Sequence, residues 1–161
     1  MDEHTTRIDT LNLVGGRLCL DFANTVSSHG PDHPNERLLG YGDLLLWSRR
    51  AGILREHEQE RLSHAAAARP AEAAAVFEQG FTLRETIYRI FSAVAAGRPA
   101  APADLDQLNT VLRAAMAHAE LVQGERGLEW GWAPDPDALD RMLWPIVRSA
   151  ADLLTSGDIG R

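Results

Sequence analysis

The sequence predicts a mainly α fold of the α+β class, with about six helices around one long central helix and a single β-hairpin. Apolar residues recur at helical spacing throughout Glu72–Ala96, which predicts a core helix with a broad apolar face. Beyond residue 118 the period changes to alternation, which is typical of strands. At 161 residues the chain has the length of one domain.

The first part of the chain divides into an arm, a short helix and a loop. Residues 1–12 are polar and without period, so we expect a flexible N-terminal arm, followed by a single domain over residues 13–161. Leu18, Phe22 and Val26 share one helical face, which predicts a helix over Leu18–Val26. Ser27–Leu39 is dense in turn residues and is predicted to be a loop.

Four further helices follow from periodicity and from stop signals such as glycine and proline. The residues at their ends indicate where each begins and stops. The predicted ranges are Asp43–Ala51, Arg55–Ala68, Glu72–Ala96 and Asp104–Ala117.

The end of the sequence predicts the hairpin and one last helix. His118–Gln123 and Leu128–Trp132 flank a glycine-bounded turn, and Trp130 and Trp132 fall on one face of the second strand. The last helix is predicted to begin at Asp135, and an interior proline at residue 145 is expected to kink it near Arg141.

Composition excludes several classes of protein. A net charge of −7 opposes nucleic-acid binding by the chain as a whole. The single cysteine, Cys19, forms no internal disulfide and no thiolate zinc site. His29 and His33 lack a third ligand at helical spacing, so we expect no metal and no cofactor. The sequence contains no apolar span and no secretory signal, which predicts a cytoplasmic protein without a membrane partner.

Three polar residues among apolar neighbours are candidates for a site. Asp21 and Asn24 interrupt the apolar run at Leu18–Val26, and a buried carboxylate must be paired or hydrogen-bonded. Arg84 shares a helix face with aromatic residues and requires an anionic or stacking partner. That partner is either a ligand or a carboxylate of the protein, and the protein candidates are Asp21, Glu36 and Asp152.

The last helix and the hairpin supply aromatic candidates. Arg141, Trp144, Arg148 and Asp152 are expected to form one stripe opposite the leucine face. A tryptophan between two arginines is able to hold a flat ligand, although such a stripe is also typical of a solvated helix face. Trp130 and Trp132 either line a pocket or attach the hairpin to the helical core.

Five blocks, in this order, resemble the ABATE domain of the bacterial CGNR zinc-finger family, whose members are described as stress-induced transcription regulators. The blocks are Gly16–Thr25 (GRLCLDFANT), Glu36–Leu38 (ERL), Asp43–Trp47 (DLLLW), Leu83–Phe91 (LRETIYRIF) and Trp144–Ser156 (WPIVRSAADLLTS). The resemblance implies that a cysteine-rich zinc finger, which binds DNA, follows the domain. This chain stops at Arg161 without the finger's cysteines, so DNA is expected as a partner only through a finger missing from this chain.

The resemblance implies a regulatory domain that senses a small-molecule effector, forms a homodimer, or does both. Six residues of the matching blocks are the expected ligand-binding residues, and we expect several of them to converge on one pocket. They are Asp21, Asn24, Arg37, Arg84, Trp144 and Arg148.

No catalytic residue is assigned. One alternative is a small enzyme with Asp21 as general base and Arg84 as anion holder. Another alternative is a pure dimerisation module.

Overall fold

The computed structural model describes residues 17–26 and 36–157 and confirms the mainly α class. The predicted arm, and residues 27–35 of the predicted loop, lie outside the described residues. The described residues contain six helices: α1 (Leu18–Ala23), α2 (Tyr41–Arg50), α3 (Glu56–Ala68), α4 (Pro70–Ala95), α5 (Pro102–Met116) and α6 (Leu143–Thr155). The hairpin consists of β1 (Ala119–Gly124) and β2 (Gly127–Trp132).

Helix α4 is the centre of the fold, as the sequence predicts, and it packs against the other five helices. Its buried stripe includes Val76, Leu83, Ile87 and Ile90. Gly80 lies on the same face, where an added Cβ would meet Leu143 at 3.3 Å and Leu44 at 3.4 Å. The missing side chain therefore lets α2 and the start of α6 approach the axis of α4 closely.

Helix α1 ends three residues earlier than predicted. The Thr25 hydroxyl donates a hydrogen bond to the Phe22 carbonyl, and Val26 forms an antiparallel bridge with Glu36. The helix ends at Ala23 because Thr25 and Val26 form these other contacts. At the opposite end of the helix, the Cys19 amide donates to Ser149 Oγ at 3.1 Å, which attaches α1 to α6.

Prolines explain two of the other boundary errors. Pro70 and Pro102 each occupy the first turn of a helix, where the missing N–H has no intrahelical partner to lose. Both helices therefore begin two residues before the predicted starts, at these prolines.

The predicted start of the last helix and its kink are wrong. Residues 133–142 form turns, and α6 begins at Leu143, so Pro145 lies in the first turn rather than in the interior. Proline lacks the N–H that would bond to the carbonyl four residues earlier, and this favours a helix that starts just before it.

The segment 133–142, which leads into α6, is held against α2 and α3. The buried Tyr41 hydroxyl donates to the Leu139 carbonyl at 2.7 Å. Arg141 lies outside the helix and pairs with Glu58 of α3 at 2.7 Å. The predicted stripe that included Arg141 is therefore not formed.

The hairpin is confirmed, with Glu125 and Arg126 as its two-residue turn. Leu121 lies opposite Trp130, and Ala119 lies opposite Trp132. The Trp132 ring contacts the buried Trp144 ring of α6 at a centroid distance of 6.0 Å. The hairpin is therefore attached to the helices through the base of its aromatic face. No helix in the described part of the chain is both long and apolar enough to cross a bilayer.

Candidate functional site

Arg84 of α4 is the centre of a buried polar network, which we call the Arg84 network (Arg84, Thr25, Glu36 and Glu85). The Arg84 side chain is fully buried, and its two terminal nitrogens donate to the two Glu36 carboxylate oxygens at 2.6 Å each. Thr25 accepts a further hydrogen bond at 3.1 Å. Glu85 accepts from Nε at 3.1 Å and lies 3.0 Å from a terminal nitrogen. Each of the three guanidinium nitrogens thus donates at least one hydrogen bond to an acceptor of the protein.

The network fixes Glu36 as a carboxylate. Burial alone would raise the Glu36 pKa, but hydrogen bonds from Arg84 and from the Leu38 and Arg37 amides outweigh burial and lower the pKa. One arginine faces two carboxylates here, so the network has a formal charge of −1. It also holds Thr25 and Glu36, which precede and follow residues 27–35, against α4.

A long groove lies along the N-terminal half of α4, between α2 and α3, and we call it the α4 groove. It consists of two cavities of about 570 and 400 Å³ that share Leu39, Phe77 and Glu78. The larger is lined by Leu39, Gly40, Tyr41, Gly42, Leu45, Ser63, Ala66, Ala67, Pro70, Ala73, Ala74, Phe77 and Glu78. The smaller is lined by Glu36, Leu38, Leu39, Phe77, Glu78 and Phe81. Cavities of this size suit small-molecule ligands.

The two ends of the α4 groove differ in chemistry. The larger cavity is walled mainly by alanine and other apolar side chains, and the Tyr41 hydroxyl in it already donates to Leu139. The smaller cavity combines two phenylalanines with the carboxylates of Glu36 and Glu78. Phe81 separates this end from the guanidinium of Arg84, which lies 4.6 Å from the ring centroid.

The six predicted ligand-binding residues occupy several different places. Arg84 is in the Arg84 network, with Glu36, one of the protein partners considered for it, as its main anion. Asn24 is exposed and lines a separate cavity of about 300 Å³ between α1 and the C-terminal half of α4. Asp21 is half-buried in α1, and Arg37 is half-buried directly after Glu36.

Trp144 and Arg148 are brought together, in an aromatic cluster that we call the tryptophan cluster (His118, Trp130, Trp132, Trp144 and Arg148). His118 stacks on Trp144 with ring centroids 3.8 Å apart and planes 9° apart. The Arg148 guanidinium lies 4.5 Å from the Trp130 centroid. Trp144 is buried, so it does not belong to a solvated face, and its Nε1 has no hydrogen-bond partner among the described residues.

The residues of the α4 groove were not identified from the sequence. Phe77 and Phe81 have the spacing of core residues, and an apolar side chain on a helix gives no local sign that a cavity adjoins it. Glu78 does give a local indication, because it is a charged residue next to Phe77 in a helix with a broad apolar face.

Metal ligands do not form a further site in residues 17–26 and 36–157, where no three histidine, cysteine or carboxylate side chains cluster. His29 and His33 lie outside the described residues.

A family model named ABATE, with the description "Putative stress-induced transcription regulator", matches residues 16–157. This range contains the Arg84 network, the α4 groove and the tryptophan cluster. Comparison with curated proteins and with solved structures gives no match.

Proposed function

Because the chain belongs to the ABATE family, which is described as one of transcription regulators, we propose that it is the part of a regulator that senses a small-molecule effector. The α4 groove carries this proposal. It is large enough for a metabolite and lies at the junction of three helices, where a bound molecule is able to change their packing.

Tyr41 provides the link between the α4 groove and the last helix. Its ring lines the groove, and its hydroxyl holds the Leu139 carbonyl in the segment that leads into α6. An effector that binds more tightly to one conformation of Tyr41 than to another shifts the segment before α6 toward the matching conformation. Only such a difference in affinity produces a response.

In this proposal Arg84 is a positioning residue rather than an anion holder, because its donors are already matched by Glu36, Thr25 and Glu85. A ligand anion would have to displace one of these acceptors. The same contacts weaken the alternative of an enzyme in which Arg84 holds an anionic substrate.

Native mass spectrometry after incubation with the small-molecule fraction of the source cells tests this function. We expect the wild-type protein to retain a ligand. Ala74→Trp, which fills the groove, should lose the ligand, whereas Ala75→Trp, at an exposed position outside the groove lining, should keep it. Absence of any retained ligand, or equal retention by Ala74→Trp, would refute sensing at the α4 groove.

Hydrogen exchange then tests the link through Tyr41. Tyr41→Phe keeps the aromatic wall and removes one hydrogen bond. Ligand binding by Tyr41→Phe should persist while the ligand-induced change of exchange in α6 disappears. If α6 responds to the ligand equally in both proteins, the response does not pass through this hydrogen bond.

Dimerisation is the second candidate function, and the hairpin favours it. Leu121, Leu128 and Trp130 are exposed by 60%, 71% and 58%, and they lie on one face of the hairpin. A contiguous apolar patch of this kind often marks an interface. Sedimentation velocity should show a dimer that Leu128→Ser weakens, whereas Leu105→Ser on α5, also at an exposed leucine, should not. A wild-type monomer at all concentrations would exclude this role.

A further inference from the structure

We propose that the effector of the α4 groove is an amphiphilic organic cation, with an apolar body in the larger cavity and a cationic group in the smaller one. This inference rests on the proposed sensing function and specifies its ligand. It follows from the charges that line the groove, from the aromatic rings beside them and from the shape of the space.

The charged groups that line the two cavities are all acidic. They are Glu36 and Glu78, and no arginine or histidine is among the described lining residues. The Glu36 carboxylate is already paired with the Arg84 guanidinium at 2.6 Å. Glu78 is exposed and has no ion pair or hydrogen bond among the described residues. The negative charge that a ligand meets at this end is therefore that of Glu78, which favours a cation and repels an anion.

Aromatic rings next to the carboxylates add a second preference for a cation. Phe77 and Phe81 are one helical turn apart on α4, and their ring centroids are 6.4 Å apart. Both rings line the smaller cavity together with Glu36 and Glu78. The face of an aromatic ring attracts an ammonium group. Arg84 already lies over the Phe81 ring at 4.6 Å, so Phe77, next to Glu78, is the ring that would receive the cation.

The larger cavity selects an apolar body. Ala66 and Ala67 of α3 face Ala73 and Ala74 of α4 across it, and Leu39, which is 60% exposed, connects it to the acidic end. The lining positions on α4 run from Pro70 to Phe81, which is about 16 Å along a helix axis. An elongated molecule with a cation at one end therefore matches both the shape and the polarity of the groove.

Isothermal titration with three probes of equal chain length tests this inference: decyltrimethylammonium, 1-decanol and decyl sulfate, all below micelle-forming concentrations. We expect the ammonium probe to bind most tightly and decyl sulfate most weakly. Ala74→Trp should abolish binding, and the Ala75→Trp control should preserve it.

Glu78→Gln tests the charge directly. It should weaken binding of the ammonium probe about twofold to fivefold and leave binding of decanol unchanged. Glu125→Gln, which removes the same charge from the exposed hairpin turn, is the matched control and should have no effect.

The failures of the two proposals are distinguishable. If decanol or decyl sulfate binds as tightly as the ammonium probe and Ala74→Trp prevents it, sensing at the groove stands and the cation preference is refuted. Unchanged affinity of Glu78→Gln for the ammonium probe refutes the preference as well. If Ala74→Trp changes neither the affinity for any of the three probes nor the retention of a cellular ligand, the α4 groove is not the sensing site.

Discussion

The Arg84 network should be the most sensitive polar point of the fold, and Arg84→Met tests this. The Arg84 side chain has no solvent exposure, whereas Glu36 and Glu85 are 15% and 19% exposed. Methionine retains much of the volume but removes the guanidinium that contacts both carboxylates. Removing one partner of a buried ion pair typically costs about 3–5 kcal/mol, a large part of the stability of a single domain.

Urea unfolding followed by tryptophan fluorescence measures this cost. With a slope of about 2 kcal/mol per molar urea, the midpoint of Arg84→Met should fall by about 2 M. Arg61→Met is the control, because the Arg61–Asp137 pair, at 2.9 Å, is exposed to water on both sides. Its midpoint should remain close to that of the wild type.

A double-mutant cycle with Glu36→Gln separates the ion pair from general damage to packing. The double variant should be less destabilised than the sum of the two single variants, by about 1–3 kcal/mol. The reasoning is refuted if the two changes add, or if Arg84→Met shifts the midpoint no more than Arg61→Met does.

Three further predictions concern pH, packing and thiol reactivity. Folding lowers the pKa of Glu36, so the ionised carboxylate stabilises the fold. This contribution is complete above the unfolded pKa of about 4.3 and is lost as pH falls through the folded pKa. The free energy of unfolding should therefore fall less for Glu36→Gln than for the wild type between about pH 5 and 3. Gly80→Leu should cost more than Gly80→Ala, by about 1–3 kcal/mol in thermal or urea unfolding, because Leu44 and Leu143 leave no room beyond a Cβ; equal stability of the two variants would show that the helices separate freely. Burial raises the pKa of the Cys19 thiol, so it should react with an aromatic disulfide reagent only as fast as the protein opens, and rapid labelling without denaturant would contradict its buried position.

Sequence reasoning located the helices well because their signal is local. The stripe that includes Leu83, Ile87 and Ile90 identified α4 as the core helix through spacing alone, and these side chains are buried. Three of the boundary errors involve proline: Pro70 was expected to end a helix and Pro145 to kink one, whereas Pro70, Pro102 and Pro145 all lie in first turns. Whether a proline begins a helix or interrupts one depends on the conformation of the residues before it. The spacing of apolar residues does not show that conformation.

The site was harder to predict than the fold. The position of Arg84 in the sequence shows that it requires an anionic partner. Choosing Glu36 from three candidate carboxylates requires knowing which distant segment packs on α4, because Glu36 is 48 residues from Arg84. Trp144 was expected either to bind a ligand or to lie on a solvated helix face, and its burial against His118 and Trp132 depends on where the hairpin packs, which its spacing does not show. The α4 groove depends on the distances between α2, α3 and α4, and these are set by packing rather than by any local pattern.

The contact between α1 and α6 determines when the protein is able to finish folding. Six residues are too few for a stable isolated helix, so α1 depends on its neighbours. The hydrogen bond that the Cys19 amide donates to Ser149 Oγ joins residues 130 positions apart. During synthesis at about 5–20 residues per second, α1 therefore waits roughly 6–26 s for its last partner to be made. Until then the apolar side of α1 that packs on α6, with the buried Phe22 beside it, is available to chaperones and to other nascent chains.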